Sequence, residues 1–537
     1  MALLDFRGPR LRRALPRGAG FVGVAVALYA AAAVVATWPA IEHVGSHFLA
    51  AGGAGHGEAT PGDHLQTGWN LWLFGHQLAH GHAPWLDPYS FQPEISPRVD
   101  FQGLVFGLPY WPLVGLFGAV VAWNVFTLLT FVAAGGATCA WLRSLDLPPL
   151  AALAGGLAFA LAPYRVAQST GHLLGAASLF LPLALYGLEK RSRLLAGLAI
   201  TAIPLSGQVH LALGAVPFFI LYALVRRRPW TALPGVVGAV AAALLVRHYA
   251  IAGSLHESGR SLREVGRYSA DWIGFVSRHG DGETFVFLGW LTPLLALAGL
   301  VVLVALDRRF SLALLLAGAV LVPVVFAVGT KLPTYSLARH VVPGLKVSRV
   351  PERLLPIACL ALAALLAFAV AWMRPWLALV VLLLVAVDLR VQTTHFAATS
   401  ADESNTAYAQ LRDAPPGRLL DLPVFLPDVH LNSTYLYYDM VAQRERPTGY
   451  STTAPAKADE TARSLRPLTC GTPPGQILAD LGIRYVAIHG GLYEAFSAGC
   501  DARAAAALRS RGFRPLAEDG AVTIFARALL NPALVSY

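Results

Sequence analysis

Phe21–Trp38 reads FVGVAVALYAAAAVVATW, and Gly62–His76, further along, reads GDHLQTGWNLWLFGH. The first run is uncharged and long enough to cross a hydrocarbon core of about 30 Å as a helix. The second has the opposite character. Leu65, Trp69, Trp72, Leu73 and His76 recur at helical spacing, which predicts an amphipathic helix, and its tryptophans suit a membrane–water boundary. Asp63 stands just before it, where a carboxylate can cap the orphan amides of a helix start or act as a general base on a hydroxyl. A span followed by a long loop with a carboxylate at the membrane surface sets the reading of everything after it.

Composition agrees with the first run. The chain of 537 residues is 56% hydrophobic and 13% charged, with mean hydropathy +0.56. A soluble fold of this length needs more charge to cover its surface. Apolar runs predict about eleven transmembrane helices, near 21–38, 120–142, 150–163, 173–188, 191–206, 208–225, 230–248, 286–306, 309–328, 353–373 and 375–392. Each must be helical, because lipid offers no partner to an open backbone group. The segment 103–117, broken by Pro109 and Pro112, is read as re-entrant. The basic start and small residues before Trp38 also fit a signal peptide, but no clear cleavage site follows.

Charge gives the orientation. Arg7, Arg10, Arg12, Arg13 and Arg17, and the turns with Arg143, Lys190, Arg191, Arg193, Arg226, Arg227, Arg228, Arg308, Arg309 and Arg374, are placed in the cytoplasm. This parity puts the tail outside, in a plasma (cell inner) membrane protein. Two outer loops break the rule: 249–285 carries Arg260, Arg263, Arg267 and Arg278, and 329–352 carries Lys331, Arg339, Lys346 and Arg349, with Arg353 just beyond. Arginine forks match phosphate oxygens, so a lipid-linked phosphate and ordinary anionic headgroups are both candidate ligands.

The chain divides into a membrane domain, 1–392, with a large first outer loop at 39–102, and an extracytoplasmic α/β domain, 393–537. In the latter, 418–422, 483–488 and 522–525 read as strands, and 406–412 and 502–511 as helices. Cys139 and Cys359 lie in spans, where a thiol is a small hydrophobe. Cys470 and Cys500 lie in the tail, where an oxidising side predicts a disulfide. The tail shows no nucleophile elbow, phosphate loop or zinc pattern. His76, His80 and His82 lack a carboxylate at ligand spacing and predict no metal site.

The order of one span, a long loop with GDHLQTGWNLWLFGHQL and PWLDPYSFQP, the later APYRVAQSTGH and VPGLKVSRVPER, and LGIRYV in the tail resembles the GT-C superfamily of membrane glycosyltransferases, and within it the YfhO-like bacterial branch. The resemblance implies a sugar on polyprenyl phosphate as donor and an acidic residue of the first outer loop as base. Asp63 matches that position, with His64 beside it. Arg165, His172, Arg263, Glu264, Asp271, Arg349 and Arg353 are the candidate substrate- and phosphate-binding residues. A single Asp followed by His, rather than the adjacent acidic pair of some members, leaves a divalent metal open as cofactor. The expected partners are the lipid-linked donor, membrane lipid and a glycan or lipid acceptor, with no nucleic acid. A transporter or flippase of a lipid-linked saccharide would carry charges along its spans, and these spans hold almost none. A noncatalytic envelope-assembly scaffold is the third reading.

Overall fold

Proline opens many of the helices. Pro149, Pro163, Pro229, Pro333 and Pro375 each occupy a first turn, where a missing N–H costs nothing. The computed structural model describes residues 18–527 except 54, 56, 94–97, 281–283, 343, 392–395, 403, 404 and 473–475. The five N-terminal arginines, Pro343 of VPGLKVSRVPER and the expected boundary at 392/393 lie outside the described residues. Among those described, five helices are long and apolar enough to cross a membrane: Ala19–Thr37, Gly107–Ser144, Pro229–Ile251, Phe310–Ala327 and Pro351–Val370. Shorter apolar helices accompany them, and the protein is a membrane protein.

The stretch read as re-entrant is continuous with the helix that follows. Gly107–Ser144 is one helical run, broken at Gly118, whose φ of 75° and ψ of 173° are non-helical. That positive φ favours glycine, so the bend is encoded at one residue.

The backbone forms two compact units, which differ from the two domains expected from sequence. The first takes residues up to Glu42, Asn124–His248 and Ser258–Ala397. Its axis is Leu355–Val370, buried at every position and packed against Pro149–Ala160, Leu291–Val301 and Phe310–Ala327. The surrounding helices turn Leu294, Leu314, Leu321, Leu383 and Val387 outward. These side chains suit lipid tails and would be a liability in water. Glu189 accepts from Arg226 Nε at 2.6 Å and Tyr222 Oη at 2.7 Å, which draws the basic turns at 190–193 and 226–228 to one end of the unit.

The second unit takes His43–Trp123, Tyr249–Glu257 and the chain from Ala398. The tail therefore does not form a body by itself; the first large loop belongs with it. Four strands, β1 (Arg418–Leu422), β2 (Ile483–His489), β3 (Phe513–Asp519) and β4 (Val522–Arg527), form a sheet in the order β1-β2-β4-β3. β1 and β2 are parallel and the other pairs antiparallel. Side chains alternate between its faces. Leu420, Leu422, Val486 and Ile488 pack with Leu465, Leu468 and Leu508 on one side. On the other, Leu419, Tyr485, Ala487 and Ile524 share a core with Tyr408, Tyr437 and Tyr438, with Phe48, Ala50 and Leu65 of the loop, and with Trp123 of the helix Gly107–Ser144. Burying those loop side chains is the physical reason the loop and tail fold together.

A charged network lies inside this second unit. His489 Nδ1 is 2.6 Å from Glu58 Oε2, and Tyr408 Oη is 2.8 Å from Asp421 and 2.9 Å from His489 Nε2. Arg446 Nε donates to Asp421 at 2.8 Å and its other branch donates to Asp439. Glu58, Asp421, Asp439, Arg446 and His489 are all buried. Charges this deep persist only when paired. A disulfide joins Cys470 and Cys500, with Cα atoms 4.5 Å apart.

Candidate functional sites

The second unit holds Asp63. The helix starts at Asp63 itself, Asp63–Ala79, with Gly62 as its N-cap. A carboxylate in that first turn faces the positive end of the helix dipole. A side chain on Gly62 would put its Cβ 2.6 Å from His64 Nδ1, so the approach requires glycine. Asp63 is half-buried, and its Oδ1 accepts from Tyr450 Oη at 2.8 Å.

His64 turns the other way. It is buried against Phe48 and Trp123, with ring centroids 5.0 and 6.4 Å away. Neither ring nitrogen has a hydrogen-bond partner. Burial drives its pKa down to about 3, against the opposing pull of Asp63, so it is a neutral packing group at physiological pH. An acid–base role for His64 does not fit that environment. His76 stacks on Trp72 at 4.5 Å and meets Tyr89 Oη at 2.9 Å. Burial, then His80 and His82, lower its pKa to about 4. Among the described residues no three His, Cys, Asp or Glu side chains converge as a metal-ligand set, and Asp63 does not supply one.

The first unit holds a small cleft lined in part by His210, Tyr335, Ser348 and Arg353 together with Leu213 and Phe326. His210 opens the helix Val209–Val225. Arg226 caps the other end of that helix, 16 residues and hence about 24 Å away. The cleft and the basic turns therefore lie at opposite ends of one apolar helix. The charges of Arg353, Arg260 and Arg349 reach His210. His210 Nδ1 and Tyr335 Oη are buried without hydrogen-bond partners. Arg349 lies over the Tyr268 ring at 4.6 Å. The lining is thus cationic and polar in part, through Arg353, His210, Tyr335 and Ser348, and apolar in part, through Leu213 and Phe326.

The remaining sequence candidates fall elsewhere. Arg165 is fully buried, and its guanidinium donates to Ser178 Oγ, Ala160 O and Thr130 O at 3.0, 3.0 and 2.9 Å. It ties helices together, and a phosphate-binding role does not fit its burial. His172 is half-buried as the N-cap of Leu173–Ala177. Arg263 is exposed, Glu264 pairs with Arg260 at 2.7 Å, and Asp271 pairs with Lys331 on the surface. Arg353 is thus the sequence candidate that lines the cleft, and Arg349 stands in the chain between its lining residues Ser348 and Val350. His210 and Tyr335 were not singled out from the sequence, although a lone histidine at the start of an apolar helix is a signal in itself.

The sequence matches no protein-family model and no curated protein. Solved structures do resemble it. The mycobacterial arabinofuranosyltransferase AftD aligns with 97% of this chain at TM-score 0.61 and 15% identity. The oligosaccharyltransferase of Archaeoglobus fulgidus, in its apo form, aligns with 95% at TM-score 0.51 and 11% identity, covering 75% of that chain. The present chain spans 41% of the length of AftD. At these identities the likeness is one of fold, and the chain has the GT-C fold.

Proposed function

We propose that this protein is a membrane glycosyltransferase that moves a hexosyl or pentosyl group from a polyprenyl-phosphate donor to a glycan or lipid acceptor on the outer face of the plasma membrane. The observation that carries the reading is the cleft beside Arg349 and Arg353 at the end of an apolar helix. Paired guanidinium donors suit a phosphate, and the apolar wall suits the first carbons of its lipid. The transferases that share the fold add support at the level of architecture.

In this reading the acceptor oxygen bonds to the anomeric carbon as the bond from that carbon to the phosphate oxygen breaks. The hydroxyl proton passes to Asp63, and polyprenyl phosphate leaves as an anion held by Arg349 and Arg353. The disulfide agrees with an oxidising compartment for the tail.

The test is to incubate the purified full chain, in lipid, with a panel of polyprenyl-phosphate sugars and follow release of polyprenyl phosphate. Asp63→Asn keeps a residue of the same shape and removes the proton acceptor, so turnover should fall by about 10²-fold or more. Normal turnover by that variant would show that Asp63 is a structural residue only.

A further inference from the structure

Asp63 is held by a residue far from it in the chain. Tyr450, 387 residues further on, donates its phenolic hydrogen to Asp63 Oδ1 at 2.8 Å. Its own carbonyl accepts from Gln66 Nε2 at 3.1 Å. Gln66 sits one turn along the same helix as Asp63, so that helix grips Tyr450 at two points. The Tyr450 ring is buried in a cluster with Trp69, Leu73 and Leu436, which leaves its hydroxyl little freedom.

The helix is itself pinned to the tail on both sides of Asp63. Gly62 N donates to Ser433 Oγ at 2.9 Å, and Trp69 Nε1 donates to Asp439 Oδ2 at 3.2 Å. Asp439 is in turn held by the buried Arg446. Five residues before Asp63, Glu58 enters the same unit through His489 and the amide of Gly491. A purely structural aspartate at a helix start does not need this much support. A base does, because proton transfer depends on placing a carboxylate oxygen to within fractions of an ångström.

We propose that Tyr450 is the positioning residue for the Asp63 carboxylate, and that through it the C-terminal region takes part in the reaction. The inference rests on the reading of Asp63 as the base. With one carboxylate oxygen fixed on a buried phenol, the rotation of the group is set and the second oxygen is oriented. The phenol also favours the ionised form that must accept the proton.

The experiment uses the purified full chain with a lipid-linked donor that supports turnover. Tyr450→Phe keeps the ring and the packing and deletes one hydrogen bond. It should lower kcat by about 10-fold with the donor KM little changed. The acid limb of its pH–rate profile should move to higher pH, since loss of the donor makes the carboxylate easier to protonate. A purely structural role would leave that profile where it is. Gln66→Ala loosens Tyr450 from behind and should give the same pattern at about 3-fold. Tyr450→Phe with unchanged kcat and pH profile would overturn the proposal. If Tyr450→Phe fails to fold, unchanged kcat and profile in Gln66→Ala overturn it instead. Asp63→Asn separates the two levels. Normal turnover in Asp63→Asn removes the base reading and this inference with it. An inactive Asp63→Asn beside a normal Tyr450→Phe removes only the positioning role.

Discussion

Glu58→Gln should lessen the alkaline sensitivity of the second unit, with Asp421 still paired to His489. Burial disfavours the His489 imidazolium, yet Glu58 and Asp421 outweigh burial and raise its pKa from 6.5 to about 9. A group whose folded pKa is raised stabilises the folded state fully below its unfolded value, and that stabilisation is lost as pH rises through the folded value. For His489 the window runs from 6.5 to about 9. At 1.36 kcal/mol per unit the shift is worth about 3 kcal/mol. Gln preserves the shape and can still accept from Gly491 N, so the change is mainly one of charge. The variant should be less stable than wild type by about 2–3 kcal/mol near pH 6, and the difference should shrink as pH rises through about 9. Hydrogen exchange of the amides in Ile483–His489, corrected for intrinsic rates, reads this directly. Wild-type protection that stays flat between about pH 6 and 9.5, or an equal slope in Glu58→Gln, would refute the reasoning.

Three further outcomes follow from the geometry. Arg446→Met removes the cation that Asp439 shares with Asp421, leaving Asp421 with His489, and should cost about 3–5 kcal/mol, seen as faster proteolysis of the tail under native conditions. Arg353→Ala should weaken donor binding by about 10-fold, with Arg353→Lys recovering part of it as a point charge, as measured by the donor KM or by direct titration. A cysteine introduced at Gln410 should label with an impermeant reagent in intact cells; protection there, with reactivity only after lysis, would reverse the assigned orientation.

The parts of the fold written in local pattern were legible. Apolar runs marked the membrane helices, short strand-like runs marked β1, β2 and β4, and two cysteines in a polar tail marked their disulfide. Charge in unexpected loops led to Arg349 and Arg353. What escaped depends on contacts between distant segments. Nothing near Tyr450 in the sequence says that its hydroxyl meets Asp63. Arg165 and His64 read as functional because they stand in stretches that resemble the GT-C superfamily, yet burial has no local signature. Arg165 is satisfied by three protein acceptors and His64 is neutral among aromatic rings. The grouping of the first loop with the tail is likewise written across a long stretch of sequence. Phe48, Ala50 and Leu65 belong to a core whose other half is written after residue 400.

That discontinuity orders events during synthesis. The loop bearing Asp63 leaves the ribosome long before Tyr450, and at about 5–20 residues per second the 387-residue interval lasts about 20–80 s. Throughout it Leu65, Trp69 and Leu73 lack the side chains that will bury them, and Glu58 lacks its imidazolium. A nascent loop in that state is a client for any chaperone on its side of the membrane. A chain that terminates before Ala398 would keep it there indefinitely, so premature stops late in the gene should be met by degradation rather than by partial function.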